Sequence, residues 1–515
     1  MLAKVLSFGL SGMEGFPVLV ETDVYNGLPA YELVGLADTA IKESKERVRS
    51  AIKNSGFEYP AKRITINLAP ADLRKEGPLY DLPIALGILA ASEQVSAELL
   101  KYMVVFGELS LNGDVRPVSG ILPMVIEARK RGFNLMVVPQ ENAKEASYIK
   151  DVRVLPVSRL SQLAEILNKV QKPEFYPVSE WNVQNTDNGC EVDFKDIRGQ
   201  EKAKRAMEIA AAGGHNILMI GPPGSGKSMM AKALPGILPD LTFEEALEVT
   251  KIHSIAGELR QSHDGIVRTR PFRSPHHTAS AAAVTGGGNK CRPGEISLAN
   301  YGVLYFDELP EFGRNILETL RQPLEDGTIA ISRANAKVRY PADFMFVASM
   351  NPCPCGNFGS EDMECRCTPA QIARYLSKIS GPLLDRIDLH IEVGRVHYDE
   401  LKSTNRQETS AEVRQRVNRA RKLQTERYHG TGKYCNAQIG ASQLKNLCAV
   451  DVAAQDLLKI AYEKLKMSAR SYTRVLLVAR TIADLAESKN VEAGHVAEAI
   501  QYRSLDRKYW GAAYD

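Results

Sequence analysis

The chain has 515 residues, too many for one ordinary domain, and 44% hydrophobic with 25% charged residues is typical of a soluble protein with large cores. The net charge of +3 neither requires nor excludes nucleic acid, because a local basic patch can bind phosphates. No apolar run is long enough to cross a bilayer, and the first twelve residues lack a clear cleavage site. We therefore predict a cytoplasmic protein that begins with a strand.

Residues 1–170 alternate the sequence patterns of strands and helices. The patterns predict a strand at 63–70, a helix at 82–92, a hairpin at 104–118 around Asn112-Gly113, a helix at 121–133 and a strand at 134–139. This mixture predicts one α+β domain. Residues 171–192 lose the periodicity and gain Pro, Asn and Asp, which indicates a linker.

Residues 193–395 alternate helical stretches with short apolar runs, at 216–220, 302–306 and 344–349. That alternation is typical of an α/β fold in which crossover helices join parallel strands. From about residue 396 to the end the pattern is helical and charged. There Thr409 and Glu412 form the sequence pattern of a capping box before a long helix. We predict a parallel-sheet core at 193–395 and a helical lid at 396–515.

The segment GPPGSGKS fits the G-x-x-x-x-G-K-S motif in full, between an apolar strand and a helical stretch. In this motif backbone N–H groups surround the phosphates of a nucleotide. We expect Lys227 to reach the β- and γ-phosphates and the Ser228 hydroxyl to bind Mg²⁺. The predicted phosphate-binding residues are Gly221, Pro222, Pro223, Gly224, Ser225, Gly226, Lys227 and Ser228.

The segment GVLYFDE predicts a buried strand that ends in two acids. Carboxylates at the ends of parallel strands lie at the ligand-binding edge of the sheet. We expect Asp307 to hold Mg²⁺ through water and Glu308 to polarise the attacking water. The alternative is a pair of surface acids, and the phosphate-binding motif that precedes them in the chain favours the nucleotide site over this alternative.

Two further polar residues follow apolar stretches. Asn351 ends the strand pattern FMFVASMN, where it could sense a γ-phosphate or the attacking water. Arg386 lies in LLDRIDLH and could reach the γ-phosphate of a neighbouring subunit. Taken alone, each also fits an ordinary structural role, Asn351 in a loop and Arg386 in a salt bridge.

Together, these motifs resemble those of the AAA+ ATPases, in the magnesium-chelatase-like branch. The segments at 270–288, 292–312 and 468–485 are similar to the YifB/ComM family, and the resemblance covers essentially the whole chain. It implies that Asn351 is sensor 1, Arg386 the arginine finger and Arg470 the sensor 2 of the lid. Arg474 is the other candidate for sensor 2. The resemblance also implies that Ile197 and Gly199 lie near the adenine.

The N-terminal domain resembles the proteolytic domain of Lon. RKEGPLYD matches the stretch that holds the nucleophilic Ser of Lon, but Leu79 stands at that place. VSGILPMVIEARKRGF matches the stretch that holds its Lys, and Leu122 stands there. A leucine can neither attack a carbonyl nor activate an attacking group. We expect a retained fold without peptidase activity.

Four cysteines fall in one short stretch, as two C-x-C pairs separated by nine residues. They are Cys353, Cys355, Cys365 and Cys367. Four thiolates on one loop predict a tetrahedral structural zinc site, and free buried cysteines or a redox pair are the alternatives.

Residues 327–342 predict a hairpin around Asn335 that carries Arg333, Lys337 and Arg339. In related ring ATPases such a hairpin faces the central pore, where the cations would meet DNA phosphates. A solvated charged hairpin is the alternative. His276 and His277 are adjacent and therefore point in different directions, so a second pore loop or ordinary packing fits them better than a metal site.

These patterns predict an ATPase that uses ATP and Mg²⁺ and assembles into a homo-oligomeric ring, a hexamer, without a membrane partner. We predict that it couples hydrolysis to movement along single-stranded or branched DNA. The family resemblance implies branch migration of recombination intermediates in natural transformation. A magnesium-chelatase-type motor subunit and a protein-remodelling ATPase are the alternatives.

Overall fold

A computed structural model describes residues 1–182, 191–261, 264–288, 291–333, 336–360, 363–396, 400, 406–440, 443–444, 449–465 and 467–510. These residues fall into two compact units. The first unit combines Met1–Asn182 with the later segments Phe243–Arg268 and Ser332–Arg339, and the second contains the rest of the described chain. The predicted boundaries 1–170, 171–192, 193–395 and 396–515 stay predictions.

The first unit is built on a mixed β-sheet. Its strands are β1 (Leu2–Ser11), β2 (Glu14–Tyr25), β3 (Ala30–Val34), β4 (Arg63–Ala69), β5 (Val104–Val105), β6 (Glu108–Leu109), β7 (Val115–Arg116), β8 (Leu135–Pro139) and β9 (Arg153–Val157). Seven of them form one sheet in the order β3-β4-β2-β1-β5-β8-β9. The helices are α1 (Thr39–Lys42), α2 (Ser44–Asn54), α3 (Asp81–Ala91), α4 (Ile121–Lys130), α5 (Ala143–Ala146) and α6 (Leu160–Leu167).

Local patterns predicted most of these elements, with two differences. The hairpin at 104–118 is shorter than predicted, because β5 joins the main sheet in parallel with β8 and only β6 pairs with β7. Val104 and Val105 are fully buried, which explains why they lie in the sheet rather than in an exposed hairpin arm. Helix α3, predicted at 82–92, begins one residue earlier, and all of its residues are buried.

The second unit contains a five-stranded parallel sheet in the order β11-β14-β17-β10-β18, formed by the strands named here. The strands of this part of the chain are β10 (Ile217–Ile220), β11 (Phe272–Arg273), β12 (Gly286–Gly287), β13 (Arg292–Pro293), β14 (Val303–Phe306), β15 (Thr328–Arg333), β16 (Ala336–Pro341), β17 (Met345–Met350) and β18 (Leu389–Glu392). The three apolar runs that predicted strands form β10, β14 and β17, so the predicted α/β class with a parallel core is confirmed.

Helices surround this sheet and continue to the end of the described chain. They are α7 (Glu201–Gly213), α8 (Lys227–Ala233), α9 (Phe243–Ala256), α10 (Ala281–Thr285), α11 (Glu295–Leu298), α12 (Arg314–Thr319), α13 (Pro323–Asp326), α14 (Pro369–Leu376), α15 (Gly381–Leu384), α16 (Ser410–Arg427), α17 (Val452–Lys464), α18 (Ala469–Leu485), α19 (Ala493–Gln501) and α20 (Ser504–Trp510). Helix α9 groups with the first unit. The predicted capping box of Thr409 and Glu412 is present at the start of α16. None of the helices in the described part of the chain is long and apolar enough to span a membrane.

The parallel arrangement decides where the polar residues of the second unit meet. The glycine-rich segment follows β10, the two acids follow β14 and Asn351 follows β17. Since β17 lies between β14 and β10, the carboxyl ends of these three strands share one edge of the sheet.

Candidate nucleotide site

The glycine-rich segment forms the turn between β10 and α8. Gly226 precedes α8 with a φ of 88°, a left-handed conformation that favours glycine. Gly221 passes so close to the strand beside it that an added Cβ would lie 2.1 Å from the carbonyl oxygen of Val393. The local backbone therefore requires glycine at both places. A turn of this kind brings backbone N–H groups together where phosphate oxygens can bind.

The first acid after β14 is hydrogen-bonded to two serines. Asp307 accepts a hydrogen bond from Ser228 Oγ at 2.9 Å through Oδ2, and from the Ser349 hydroxyl through Oδ1. The Tyr305 hydroxyl donates to Ser349 Oγ at 3.0 Å. The hydroxyl and the carboxylate that were predicted to hold Mg²⁺ therefore lie side by side. Hydroxyl and carboxylate oxygens are ligands that suit Mg²⁺.

Asp307 is held in its charged form. Its partial burial opposes ionisation, but hydrogen bonds from Ser349, Ser228, Tyr305 and the backbone N–H of Glu308 outweigh that effect and lower the pKa of Asp307. A carboxylate that stays ionised at lower pH keeps its capacity to bind a divalent cation there.

Lys227 joins this segment to the sensor strand. Its side chain is nearly buried, and Nζ donates to the carbonyl oxygens of Gly221 at 2.7 Å and Pro222 at 2.8 Å and to Asn351 Oδ1 at 3.3 Å. Burial lowers the pKa of Lys227, while the negative charges of Asp307 and Glu308 act in the opposite direction. The lysine and the asparagine predicted to contact the same phosphate are thus in direct contact.

Glu308, the second acid after β14, is more accessible than the first. Its side chain is 57% exposed, and its φ of 53° is in the left-handed region that non-glycine residues seldom occupy. His277 Nδ1 lies 3.8 Å from Glu308 Oε2, and the rings of His276 and His277 are tilted by 34° with centroids 4.1 Å apart. No local pattern indicated this histidine beside the acid, because the two residues come from separate segments of the chain.

Arg386 and Arg470 meet at one carboxylate. Arg386 donates to Glu325 and to the carbonyl oxygen of Pro382 at 2.6 Å, and its side chain is mostly buried. Arg470, in the first turn of α18, lies 3.5 Å from the other carboxylate oxygen of Glu325. The arginine finger and sensor 2 predicted from the sequence are therefore neighbours. Sequence reasoning did not identify Glu325, which ends the short helix α13 together with Asp326.

Arg474, the other candidate for sensor 2, lies in a buried polar network. Its Nε lies 3.1 Å from Asp388 Oδ1 in an ion pair, and Asp388 Oδ2 lies 3.2 Å from His215 Nδ1. Burial opposes ionisation of Asp388, but Arg474 and His215 outweigh it and lower the pKa of this carboxyl. Arg474 therefore has a structural partner between α18 and β18, which leaves Arg470 as the more exposed of the two arginines.

Known proteins are similar to this chain over almost its whole length. Family models described as magnesium chelatase subunit ChlI match residues 193–401 and 20–142, and the model of its C-terminal part matches 407–503. The competence protein ComM of Haemophilus influenzae is 45% identical over 98% of both chains, and YifB of Escherichia coli is 44% identical over 96% of both. This chain belongs to the YifB/ComM family. The 38 kDa magnesium-chelatase subunit of Rhodobacter capsulatus is 28% identical over 31% of this chain and 50% of its own.

Membership of the YifB/ComM family, within the magnesium-chelatase-like AAA+ proteins, implies ATPase activity with ATP and Mg²⁺. The site described above fits both: Ser228 and Asp307 offer adjacent oxygen ligands, and Lys227 supplies a cation beside the phosphate-binding turn. The two residues expected near adenine lie before α7. Ile197 is buried, and Gly199 has a φ of 62° and faces Glu400, whose Oε2 an added Cβ would approach to 2.6 Å.

The four clustered cysteines of this YifB/ComM-family chain come together in space. Their sulfur atoms all lie within 4.8 Å of one another, and Cys353 Sγ is 3.4 Å from Cys355 Sγ and 3.7 Å from Cys365 Sγ. A tetrahedral Zn–S₄ centre with bonds of about 2.3 Å has sulfur separations of about 3.8 Å. The cluster, which includes Cys367, therefore fits one tetrahedral metal ion.

The predicted basic hairpin is formed by β15 and β16. Lys337 and Arg339 are exposed, while Val338 between them is buried and lies against Gly12 in the same compact unit. Arg333 ends β15, and its side chain and Asn335 lie outside the described residues. The alternation of exposed cations and a buried valine leaves one face of β16 basic.

The resemblance to Lon assigns its two peptidase residues to positions 79 and 122, and at both positions the N-terminal unit is apolar. Leu79 is 9% exposed and Leu122 is 1% exposed, and both belong to its buried hydrophobic residues. Neither side chain can serve as a nucleophile or a base. The absence of peptidase activity stays a prediction.

Proposed function

We propose that this chain is a ring-forming ATPase, a homohexamer, that couples ATP hydrolysis to movement along single-stranded or branched DNA. Its cellular role in this proposal is branch migration of recombination intermediates during natural transformation, in the cytoplasm. The observation that carries the ATPase part is the contact between Lys227 and Asn351 beside the Ser228–Asp307 pair. These are the groups that phosphoryl transfer requires around a nucleotide and its metal ion.

In this proposal Glu308 polarises the attacking water, since it is the exposed carboxylate next to Asp307. Lys227 and Asn351 contact the γ-phosphate, and Ser228 and Asp307 hold Mg²⁺. Ile197 and Gly199 lie at the adenine. These roles place binding groups and the general base on three neighbouring strand ends, so that a bound nucleotide is positioned before hydrolysis.

The arginine pair supports assembly into a ring. Arg386 and Arg470 share Glu325, whereas the contacts of Lys227 are with its own turn and Asn351. In the proposed ring the pair of one subunit faces the nucleotide of the next, and Arg386 stabilises the charge that develops on the γ-phosphate. Each nucleotide site is then incomplete without its neighbour.

Two observations support DNA as the substrate. A relative that is 45% identical over 98% of this chain is named a competence protein, and the family resemblance implies a role in natural transformation. The exposed Lys337 and Arg339, together with Arg333, provide cations on one hairpin. Cations of this kind release condensed counterions when they contact phosphates.

A magnesium-chelatase-type motor is the second candidate function. It is supported by the descriptions of the family models and by the magnesium-chelatase subunit of Rhodobacter capsulatus. That similarity covers 31% of this chain, compared with 98% for ComM, so the DNA motor is the better supported of the two.

We also propose that the cysteine cluster holds one structural zinc ion. Elemental analysis of freshly reduced protein, purified without added metal, should find about one zinc per chain, and less than about a tenth of an equivalent would contradict the proposal. Replacing Cys365 by Ser should lower that content, whereas replacing the buried Cys435 should not, since Cys435 lies outside the cluster.

The decisive experiment on function measures ATP hydrolysis by the purified chain alone, with single-stranded DNA, with a four-way DNA junction and with unfolded casein. Stimulation by either DNA and displacement of junction strands would support the proposal. Stimulation by casein alone would favour protein remodelling. If neither DNA nor casein changes the rate of ATP hydrolysis, the chelatase candidate remains. A magnesium-insertion assay with protoporphyrin and chelatase partner subunits then tests it.

The hairpin is tested separately with Arg333→Ala combined with Lys337→Ala. Binding to single-stranded DNA should weaken, and the slope of log affinity against log salt should fall by roughly one or more. Affinity for ATP should stay the same. Lys62→Ala with Lys172→Ala is the charge-matched control, because both lysines are exposed on the first unit. If DNA affinity and its salt slope do not change, the hairpin is not the DNA-binding surface.

A further inference from the structure

The loop that carries the clustered cysteines contacts the phosphate-binding turn directly. Gly356 lies so close to Pro223 that an added Cβ would be 2.5 Å from Pro223 Cδ and 3.0 Å from its Cγ. Pro223 belongs to the rigid Pro-Pro pair of the turn, and the carbonyl oxygen of its neighbour Pro222 accepts a hydrogen bond from Lys227 at 2.8 Å. A movement of Gly356 toward the turn would therefore displace the backbone that positions Lys227.

The position of Gly356 depends on the two cysteines that precede it. Its backbone N–H donates to the carbonyl oxygen of Cys353 at 3.0 Å, and it follows Cys355 directly in the chain. The backbone N–H of Phe358 donates to Cys353 Sγ at 3.3 Å. A metal ion that binds Cys353 and Cys355 would thus fix the first residue of the short turn and the residue directly before Gly356, which contacts Pro223.

The other side of this loop packs on the last described helix. The rings of Phe358 and Tyr509 lie 6.2 Å apart between centroids, and the Tyr509 hydroxyl donates to Glu392 Oε1 at 3.0 Å. Glu392 ends β18, which pairs with the strand that leads into the phosphate-binding turn. The loop is therefore held between α20 and the turn. Since α20 supports one side of the loop, a change in the shape of the loop would move its contact with the turn.

We propose that metal binding by Cys353, Cys355, Cys365 and Cys367 sets the nucleotide affinity of this chain through the contact of Gly356 with Pro223. The inference rests on the proposed nucleotide and zinc sites and goes beyond them, because it makes the two sites interdependent. The zinc-bound loop holds the turn in the shape that binds phosphates. Loss of the ion releases Gly356 and weakens nucleotide binding.

Interdependence of two binding sites is reciprocal. If zinc raises the affinity for ATP by some factor, ATP must raise the affinity for zinc by the same factor. In the unmodified chain, saturating MgATP should therefore lower the amount of zinc that passes at equilibrium to the chelator 4-(2-pyridylazo)resorcinol. A sample with the same MgATP, zinc and chelator but no protein corrects for zinc bound by ATP itself.

The contact itself is tested by a matched pair of glycine variants. Gly356 and Gly359 lie in the same loop with similar positive φ values of 83° and 74°, so alanine introduces comparable backbone strain at both. An added Cβ at Gly356 meets the ring of Pro223, whereas at Gly359 the nearest atom is Lys508 Nζ at 3.6 Å, the mobile end of a side chain. Only Gly356→Ala should act on the turn.

For each variant, zinc content is measured by elemental analysis and nucleotide affinity by titration with a fluorescent ATP analogue. Gly356→Ala should keep its zinc and bind the analogue about tenfold more weakly, a change of about 1.4 kcal/mol. Gly359→Ala should bind it within about twofold of the unmodified chain. The protection of zinc by MgATP should shrink in Gly356→Ala by the same factor as the nucleotide affinity.

The outcomes separate this inference from the proposals beneath it. Failure of the unmodified chain to bind the analogue would overturn the nucleotide site and this inference with it. If the unmodified chain binds the analogue but contains no zinc, the metal site and the inference are overturned. Binding of both, with equal nucleotide affinities in the two glycine variants and no protection of zinc by MgATP, would overturn the inference alone. If Gly356→Ala does not fold, the chelator measurement on the unmodified chain decides.

Discussion

Around Lys227 the polar side chains contact one another, whereas Arg386 and Arg470 meet at a carboxylate outside that group. Lys227 contacts Asn351, and Ser228 contacts Asp307, so three strand ends join in one cluster. The arginines instead share Glu325 at the end of α13. Both regions belong to the second unit, and Arg386 was predicted to act on the γ-phosphate of a neighbouring subunit.

The difference shows which parts of the proposed catalytic site one chain provides for itself. A cluster whose members bond to each other is already positioned for a ligand, because little ordering remains to be done on binding. A pair of arginines held by a glutamate keeps its orientation but needs a second nucleotide site to act on. In the proposed ring, binding is therefore a property of one subunit and hydrolysis a property of two.

We expect the greatest change in activity from two variants of the cluster around Lys227, one that loses nucleotide binding and one that loses only hydrolysis. Lys227→Ala should abolish nucleotide binding, because it removes the cation held beside the phosphate-binding turn. Glu308→Gln should keep ATP bound and lower kcat by about 10²- to 10⁴-fold, since only the group that polarises water is lost. Titration with a fluorescent ATP analogue and phosphate release measure the two effects. Equal loss of binding in both variants would contradict the assigned roles.

The next effect tests whether Arg386 acts between subunits. Arg386→Ala should bind ATP and assemble, yet hydrolyse it about 10³-fold more slowly. Mixing it with Lys227→Ala chains should restore part of the phosphate release, because an intact nucleotide site can then face an intact arginine.

The control for this mixing is a chain that carries both Lys227→Ala and Arg386→Ala, which should restore nothing. If the single variant also restores nothing at any ratio, Arg386 is not a finger.

A smaller effect is expected from Glu325, which we expect to orient the arginine pair. Glu325→Gln should lower kcat about tenfold with the affinity for ATP unchanged, and it should add little when Arg386 is already Ala, because contacting residues are not additive. Asp326→Asn is the control, since it removes the same charge from the exposed neighbour. A rise in kcat would mean that Glu325 restrains the arginines instead of positioning them.

The smallest effect concerns the serine that contacts Asp307. Ser349→Ala removes a hydrogen bond to the charged carboxylate and should weaken Mg²⁺ binding about fivefold. The pKa of Asp307 is lowered in the native chain, so its carboxylate stays ionised until the pH falls through that lowered value. In Ser349→Ala the pKa of Asp307 should rise. As the pH is lowered, Mg²⁺-dependent hydrolysis by the variant should therefore be lost at a higher pH than hydrolysis by the native chain.

Phosphate release against pH at fixed Mg²⁺ measures this shift of the acid limb. Ser7→Ala is the control, because it removes another buried hydroxyl in the first unit. An unchanged acid limb in Ser349→Ala would show that Ser349 does not act through Asp307.

Local sequence patterns specify the parts of the site that are continuous in the chain. The motif at 221–228 predicted the turn between β10 and α8, and the apolar runs before Asp307 and Asn351 predicted β14 and β17. Glycine at Gly226 follows from a local requirement, a left-handed residue before the helix. Such requirements act over a few residues, so a motif can express them.

The packing of the whole chain determines which separate segments meet. Ser349 contacts Asp307 because β14 and β17 are neighbours in the sheet. The spacing of residues along the chain does not specify this order of strands. Gly356 and Pro223 are likewise distant in sequence and adjacent in space. Single local patterns do not specify contacts between distant segments, because those contacts depend on how all the strands and helices pack together.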